Sequence, residues 1–151
     1  MERSLILVKP DGVQRGLIGE IISRFERKGL KLIGLKMMNV TDSTLETHYS
    51  HLADKPFFGE IKDFMKSSPI IAMAWEGGEG SVASIRILVG PTKGHEAPAG
   101  TIRGDFGLSG SNNIVHASDS VENGNLEVNR FFEKSEIFEY DKTDQKHIYG
   151  K

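Results

Sequence analysis

Leu5-Ile6-Leu7-Val8-Lys9-Pro10-Asp11-Gly12 sets four apolar residues in a row against a proline, an acid and a glycine. A short apolar run closed by turn residues reads as a buried strand followed by a turn. Ile18, Ile21, Ile22 and Phe25 then recur at i, i+3, i+4 and i+7. That spacing predicts an amphipathic helix, with cations in its last turn and Gly29 as its stop. Leu30-Lys31-Leu32 begins a second strand, and the alternation through Lys36 and Met37 carries it to about Val40. Strand, helix, strand within the first forty residues makes the chain a mixture of α and β.

The remainder repeats the theme. Ser43-Thr44-Leu45-Glu46 has the capping-box pattern and predicts a helix from Ser43, with Leu45, Tyr49 and Leu52 on one face. A helix is expected after Pro56, with Phe57, Ile61, Phe64 and Met65 inward, and Pro69 ends it. Ile70 to Trp75 reads as a third strand, and Val82, Ile85 and Val89 mark a helix closed by Gly90 and Pro91. Gly90 to Asn112 is glycine-rich and aperiodic, and loops of such length in compact domains are functional or disordered. Ile114-Val115-His116 is a short strand, and Val121 to Phe132 a helix; the tail after Phe138 is polar and gives weak signals. Two βαβ-like halves predict one α/β (α+β) domain over residues 1–151, a ferredoxin-like sandwich with a four-stranded antiparallel sheet covered by helices. A small doubly wound fold is the alternative.

A chain of 151 residues buries a sufficient core as one domain. The net charge of -2 gives no global pull toward nucleic acid or anionic membrane, so a bound anion needs a local cluster of cations. The absence of cysteine removes disulfides, thiolate metal sites and a cysteine nucleophile. Met1-Glu2-Arg3-Ser4 leads into only four apolar residues, too few for a signal peptide or a membrane span. The expectation is a cytoplasmic protein with no membrane and no nucleic-acid partner.

No G-x-x-x-x-G-K-[ST] motif is present, so a P-loop is excluded, and no His and acid set has structural zinc spacing. His48, His51, His95 and His147 lie in polar stretches and read as solvated. His116 differs: it ends a short apolar strand and precedes Ala117-Ser118-Asp119-Ser120, a cluster of capping residues, although taken alone a single histidine there is more often a structural residue than a catalytic one. Sites in α/β folds sit at the carboxyl ends of strands. Arg103 lies between Gly100 and Gly104, where an arginine fork and open backbone N–H groups suit a phosphate; an Arg103–Asp105 ion pair closing the loop fits the spacing equally well. Lys9, at the end of the first strand, is either a second phosphate cation or an ordinary exposed lysine.

These segments resemble the nucleoside diphosphate kinase family. Lys9-Pro10-Asp11-Gly12-Val13 is similar to its opening motif, Gly100-Thr101-Ile102-Arg103-Gly104-Asp105-Phe106 to its phosphate loop, and Asn113 through Ser120 to its active-site signature. Arg15-Gly16-Leu17-Ile18-Gly19, Tyr49, Lys55-Pro56-Phe57-Phe58 and Trp75-Glu76-Gly77 fit between them, so the resemblance runs from about Arg3 to Tyr140.

The resemblance implies transfer of a terminal phosphoryl group from a nucleoside triphosphate to a nucleoside diphosphate, by a ping-pong route through phosphohistidine at His116. It makes Glu127 the partner that holds the other ring proton, with Ser118 alongside. It places Lys9, Arg86, Thr92 and Arg103 around the phosphates, with Mg²⁺ carried in on the nucleotide. Tyr49 is implied to orient Lys9, Asn113 to reach the sugar hydroxyls, and Phe57 to stack on the base. Without the resemblance, Glu127 reads as a solvated helix acid, Phe57 and Tyr49 as core, and Arg86 as a surface charge. A homo-oligomer is implied, a hexamer favoured over a tetramer. The departures are Pro98-Ala99-Gly100 where the family has Pro-Gly, Gly110 where it has a larger residue, and Gly124 where it has alanine. The competing reading is a non-catalytic nucleotide-binding module on the same sheet, which needs no nucleophile.

Overall fold

Leu5 to Val8 are all fully buried. Successive residues of a strand face opposite sides, so a continuous apolar run requires cover on both faces. The computed structural model, which describes residues 1–150, provides that cover. Its elements in chain order are β1 (Glu2–Val8), α1 (Pro10–Gln14), α2 (Ile18–Lys28), β2 (Lys31–Met38), α3 (Asp42–His48), α4 (Phe58–Lys66), β3 (Ile70–Gly77), α5 (Ser81–Val89), α6 (Ile102–Phe106), β4 (Val115–Ala117), α7 (Val121–Phe131) and α8 (Gln145–Tyr149). The sheet runs β2-β3-β1-β4 and every pairing is antiparallel. The antiparallel ladder settles the fold as the ferredoxin-like α+β sandwich, since a doubly wound sheet is mostly parallel.

Ile6 and Val8 point to one layer, where they meet Ile21 and Phe25 of α2, Met73 and Trp75 of β3, and Ile85 and Val89 of α5. Leu5 and Leu7 point to the other, where Leu45 of α3, Met65 of α4, and Val128 and Phe131 of α7 pack. β1 therefore lies inside the sheet and between both layers.

Local chemistry corrects several expectations. Pro10-Asp11-Gly12 forms the start of α1, because proline at the first helical position is already set for a helix. α3 begins one residue earlier than the capping-box pattern implied, at Asp42, because Thr41 Oγ1 accepts the Thr44 N–H at 3.2 Å. Phe58, and not Phe57, is buried on α4, and Phe57 is 45% exposed. α6 lies inside the stretch expected to be pure loop, capped by Thr101, whose Oγ1 accepts the Gly104 N–H at 2.9 Å. The weakly patterned tail folds back: Phe138 N–H donates to Ile33 O at 2.9 Å, and Gly78 N–H to Tyr149 Oη at 2.9 Å.

Candidate active site

β4 pairs with β1 through Leu7 and His116, which fixes His116 beside the carboxyl end of β1. Just before it the chain makes a tight turn. Val115 N–H donates to Asn113 O at 2.8 Å across Ile114, whose φ is +76°. A β-branched residue in the left-handed region stores on the order of 1–3 kcal/mol of strain and persists only where its surroundings hold it. Two bonds hold this one: Ile114 N–H to Asp11 Oδ2 at 3.0 Å, and Lys9 N–H to Ile114 O at 2.8 Å.

His116 Nε2 lies 2.7 Å from Glu127 Oε1 on α7. Ser118 Oγ donates to that same oxygen at 2.7 Å and accepts the Leu5 N–H at 3.0 Å. Burial pushes the Glu127 carboxyl up, but the hydrogen bonds from His116 and Ser118 outweigh it and hold the group below its ordinary value. An ionised carboxylate only accepts, so the proton sits on His116 Nε2 and the Nδ1 lone pair is left open.

Three cations line the same cavity as His116. Lys9 Nζ donates to Asn113 Oδ1 at 2.8 Å; burial, together with the nearby Arg103 charge, lowers its ammonium to about 8. Arg103 is 4% exposed and donates to Gly90 O, Asn113 O and Val115 O at 3.0, 3.2 and 2.7 Å. Burial and the neighbouring Arg86 pull it to about 10. Asp105 does not pair with Arg103; it binds Arg24 at 2.6 Å, so the ion-pair reading of the loop is overturned. Arg86 Nη1 donates to Ala117 O at 3.2 Å.

A cavity of about 610 Å³ is lined by Lys9, Tyr49, Arg86, Thr92, Arg103, Asn113, His116 and Glu127. A more apolar one of about 740 Å³ adjoins it, sharing Lys9, Tyr49, Thr92 and Asn113 and adding Phe57, Leu52, Ile61 and Gly110. All the residues singled out in the sequence thus meet at one place, with Ser118 behind Glu127. Two details differ from what the resemblance implied. Lys9 donates its hydrogen bond to Asn113 Oδ1 and not to Tyr49, and the Asn113 amide donates to Thr92 O at 3.0 Å and Gly110 O at 3.3 Å. Sequence reasoning missed His48 and Arg130. His48, read as solvated, is 7% exposed and lies against the His116 ring. Its position three residues after the buried Leu45 on α3 was the available signal.

A cation-lined cavity beside a histidine with one free nitrogen, on this fold, suits an enzyme that handles phosphoryl groups. The family model described as Nucleoside diphosphate kinase matches residues 2–137. A nucleoside diphosphate kinase of Halalkalibacterium halodurans is 53% identical over 142 residues, 94% of this chain and 96% of the relative. Among solved structures, a nucleoside diphosphate kinase family protein from Babesia bovis is 48% identical with a TM-score of 0.95, covering 99% of this chain and 100% of that one. A halophilic nucleoside diphosphate kinase from Halobacterium salinarum, in complex with CDP, is 41% identical with a TM-score of 0.93, covering 98% of both chains. The chain belongs to the nucleoside diphosphate kinase family.

Proposed function

We propose that His116 carries the phosphoryl group in the exchange between nucleoside triphosphates and diphosphates. The observation that bears most weight is the pairing of His116 Nε2 with Glu127, which leaves Nδ1 free in a cavity that Lys9, Arg86 and Arg103 also line. The Nδ1 lone pair attacks the terminal phosphorus. A P–N bond forms as the P–O bond to the leaving diphosphate breaks, and the electron pair leaves on the diphosphate oxygen. The Nε2 proton stays on the ring, and the Glu127 carboxylate stabilises the positive charge the ring acquires. A second nucleoside diphosphate then takes the phosphoryl group by the reverse step, so one pocket serves donor and acceptor. The protein's remaining work is positioning and charge stabilisation, which the three cations supply.

The apolar cavity takes the base. Phe57, exposed at its mouth, stacks on any π-face, which favours broad base tolerance. CDP in the Halobacterium salinarum relative supports a nucleotide in this pocket. Mg²⁺ enters bound to the phosphates. The acids near the phosphate cavity are committed, Glu127 to His116 and Ser118 and Asp119 to Asn123, and the cluster His48, His116 and Glu127 offers nitrogen to a cation that prefers oxygen. When bound, it neutralises phosphate charge. Tyr49 walls the cavity beside Lys9, and Thr92, through its carbonyl, positions Asn113.

We read the enzyme as a cytoplasmic homo-oligomer, the hexamer favoured. Among the described residues no helix is long and apolar enough to cross a membrane. The test of the carrier is labelling with γ-labelled ATP and Mg²⁺, wild type beside His116→Ala. The expected result is acid-labile, base-stable label on the wild type alone, discharged by added nucleoside diphosphate. A wild type that binds nucleotide but never takes label makes the chain a binding module.

A further inference from the structure

His48 is an imidazole that the chemistry above does not use. It ends α3, is buried, and its ring stands nearly perpendicular to three others: His116 at 4.6 Å between centroids, Tyr49 at 4.8 Å and Phe131 at 5.2 Å. Arg130 Nη1 of α7 lies 3.0 Å from its Nδ1. A guanidinium has no lone pair, so Arg130 donates and Nδ1 accepts. The proton of the neutral ring is then on Nε2. That nitrogen is buried and has no hydrogen-bond partner.

His48, His116 and Glu127 bring three donor atoms within 4.8 Å of one another, a spacing that would suit a transition metal. The hydrogen bonds argue against it. Nε2 of His48 presents a hydrogen and no lone pair, and Glu127 Oε1 already accepts from both His116 and Ser118. As filler the residue is a poor choice, because a stranded buried N–H is a cost that a phenylalanine of similar shape avoids. What histidine adds over phenylalanine is the acceptor for Arg130. Glu127 and Arg130 stand three residues apart on α7, hence on one face. One grips His116 at Nε2, the other grips His48 at Nδ1.

We propose that His48 is a positioning residue: fixed in one tautomer by Arg130, it walls the His116 ring and keeps its Nδ1 turned to the phosphate cavity. The proposal rests on His116 being the phosphate carrier. Burial, with the charges of His116, Arg130 and Lys9 outweighing that of Glu127, lowers His48 to about 3, so its hydrogen-bond pattern does not titrate in the neutral range. Tyr49, the other titratable group against it, is pushed up to about 12 by burial and the Glu127 charge.

The test uses His48→Phe, Arg130→Met and the double variant, each checked by thermal denaturation. Single-turnover labelling by γ-labelled ATP is expected to slow roughly ten- to a hundredfold in each single variant, the size of effect a misplaced reacting group produces. Nucleotide affinity should change less than about twofold, and the double variant should be no slower than the slower single one, because both substitutions remove one linkage. Nitrogen-15 spectra should show one His116 tautomer in the wild type and a mixture in the variants. Arg130→Met keeps the question open to measurement if His48→Phe fails to fold. Variants that label at the wild-type rate overturn the positioning role alone. So do losses that merely track the unfolded fraction, or effects that add. Stoichiometric Zn²⁺ that blocks wild-type labelling but spares His48→Phe overturns the tautomer assignment. A wild type that never labels sinks the carrier reading itself.

Discussion

Lys9 sits where β1 ends, half-buried between the two cavities it lines. With its ammonium lowered from 10.5 to about 8, the charged form that attracts phosphate is complete at pH 7 and lost as the pH rises through 8. The affinity of the free enzyme for ADP should therefore hold steady from pH 6.5 to 7.5 and fall about tenfold per unit once well above pH 8. Lys9→Arg, which stays charged, should remove that bend. Calorimetric titration across the range decides, and a wild-type curve as flat as the arginine variant's sinks the argument. At this scale the sequence was most readable where a residue stands in a motif. Lys9, Arg103, Asn113 and His116 each lie in a dense local pattern. His48 left only the faint signal of its spacing from Leu45, because Glu46, Thr47 and Ser50 around it are exposed and disguise the one buried position among them. Arg103 was readable as a cation but not as a brace. Its three carbonyl partners lie ten to thirteen residues away, and no local spacing announces them.

The element that holds the two histidine rings is α7, since it presents both Glu127 to His116 and Arg130 to His48. Its seating depends on Gly124. Read from the sequence, that glycine is a weak point costing helix propensity. In the structure it is where the helix touches β1: a Cβ there would lie 2.0 Å from Arg3 O. A main-chain oxygen cannot swing aside, so Gly124→Ala must lift the helix. We expect a loss of about 1–3 kcal/mol of stability by urea denaturation, the usual cost of overpacking. Phosphoryl transfer should fall with it in the fraction that remains folded, because Glu127 moves off His116. Unchanged stability and rate would show that α7 finds its seat without the close contact. Elements with long periodic faces, α2 and α5, were legible; α1 and α6 were not. Each has only five residues, too few for a period to show, and each owes its existence to a cap or a proline rather than to a face.

Across the whole molecule, β2 is an edge strand, and Leu35 and Met37 on it are 51% and 60% exposed. An open edge with apolar side chains invites pairing with another copy. Light scattering should give a mass several times the 16.7 kDa of one chain, near six times if the hexamer is right. A single-chain mass would refute the oligomer. The four-stranded antiparallel sheet was legible in outline, because strands and helices alternate so regularly. The pairing order β2-β3-β1-β4 was not, because no local spacing says which strands neighbour one another. One feature of that topology reaches beyond equilibrium. The bonds that complete the site, Leu5 to Ser118, Lys9 to Asn113 and Asp11 to Ile114, join residues more than a hundred positions apart. During synthesis the first strand leaves the ribosome long before its partners exist. Until α7 has emerged and docked, His116 has neither its proton holder nor its bracing contacts. A chain cut short between β4 and α7 carries His116 and the cations Lys9, Arg86 and Arg103 but neither Glu127 nor Arg130, so an interrupted translation product has the cavity's residues without the partner that orients its histidine.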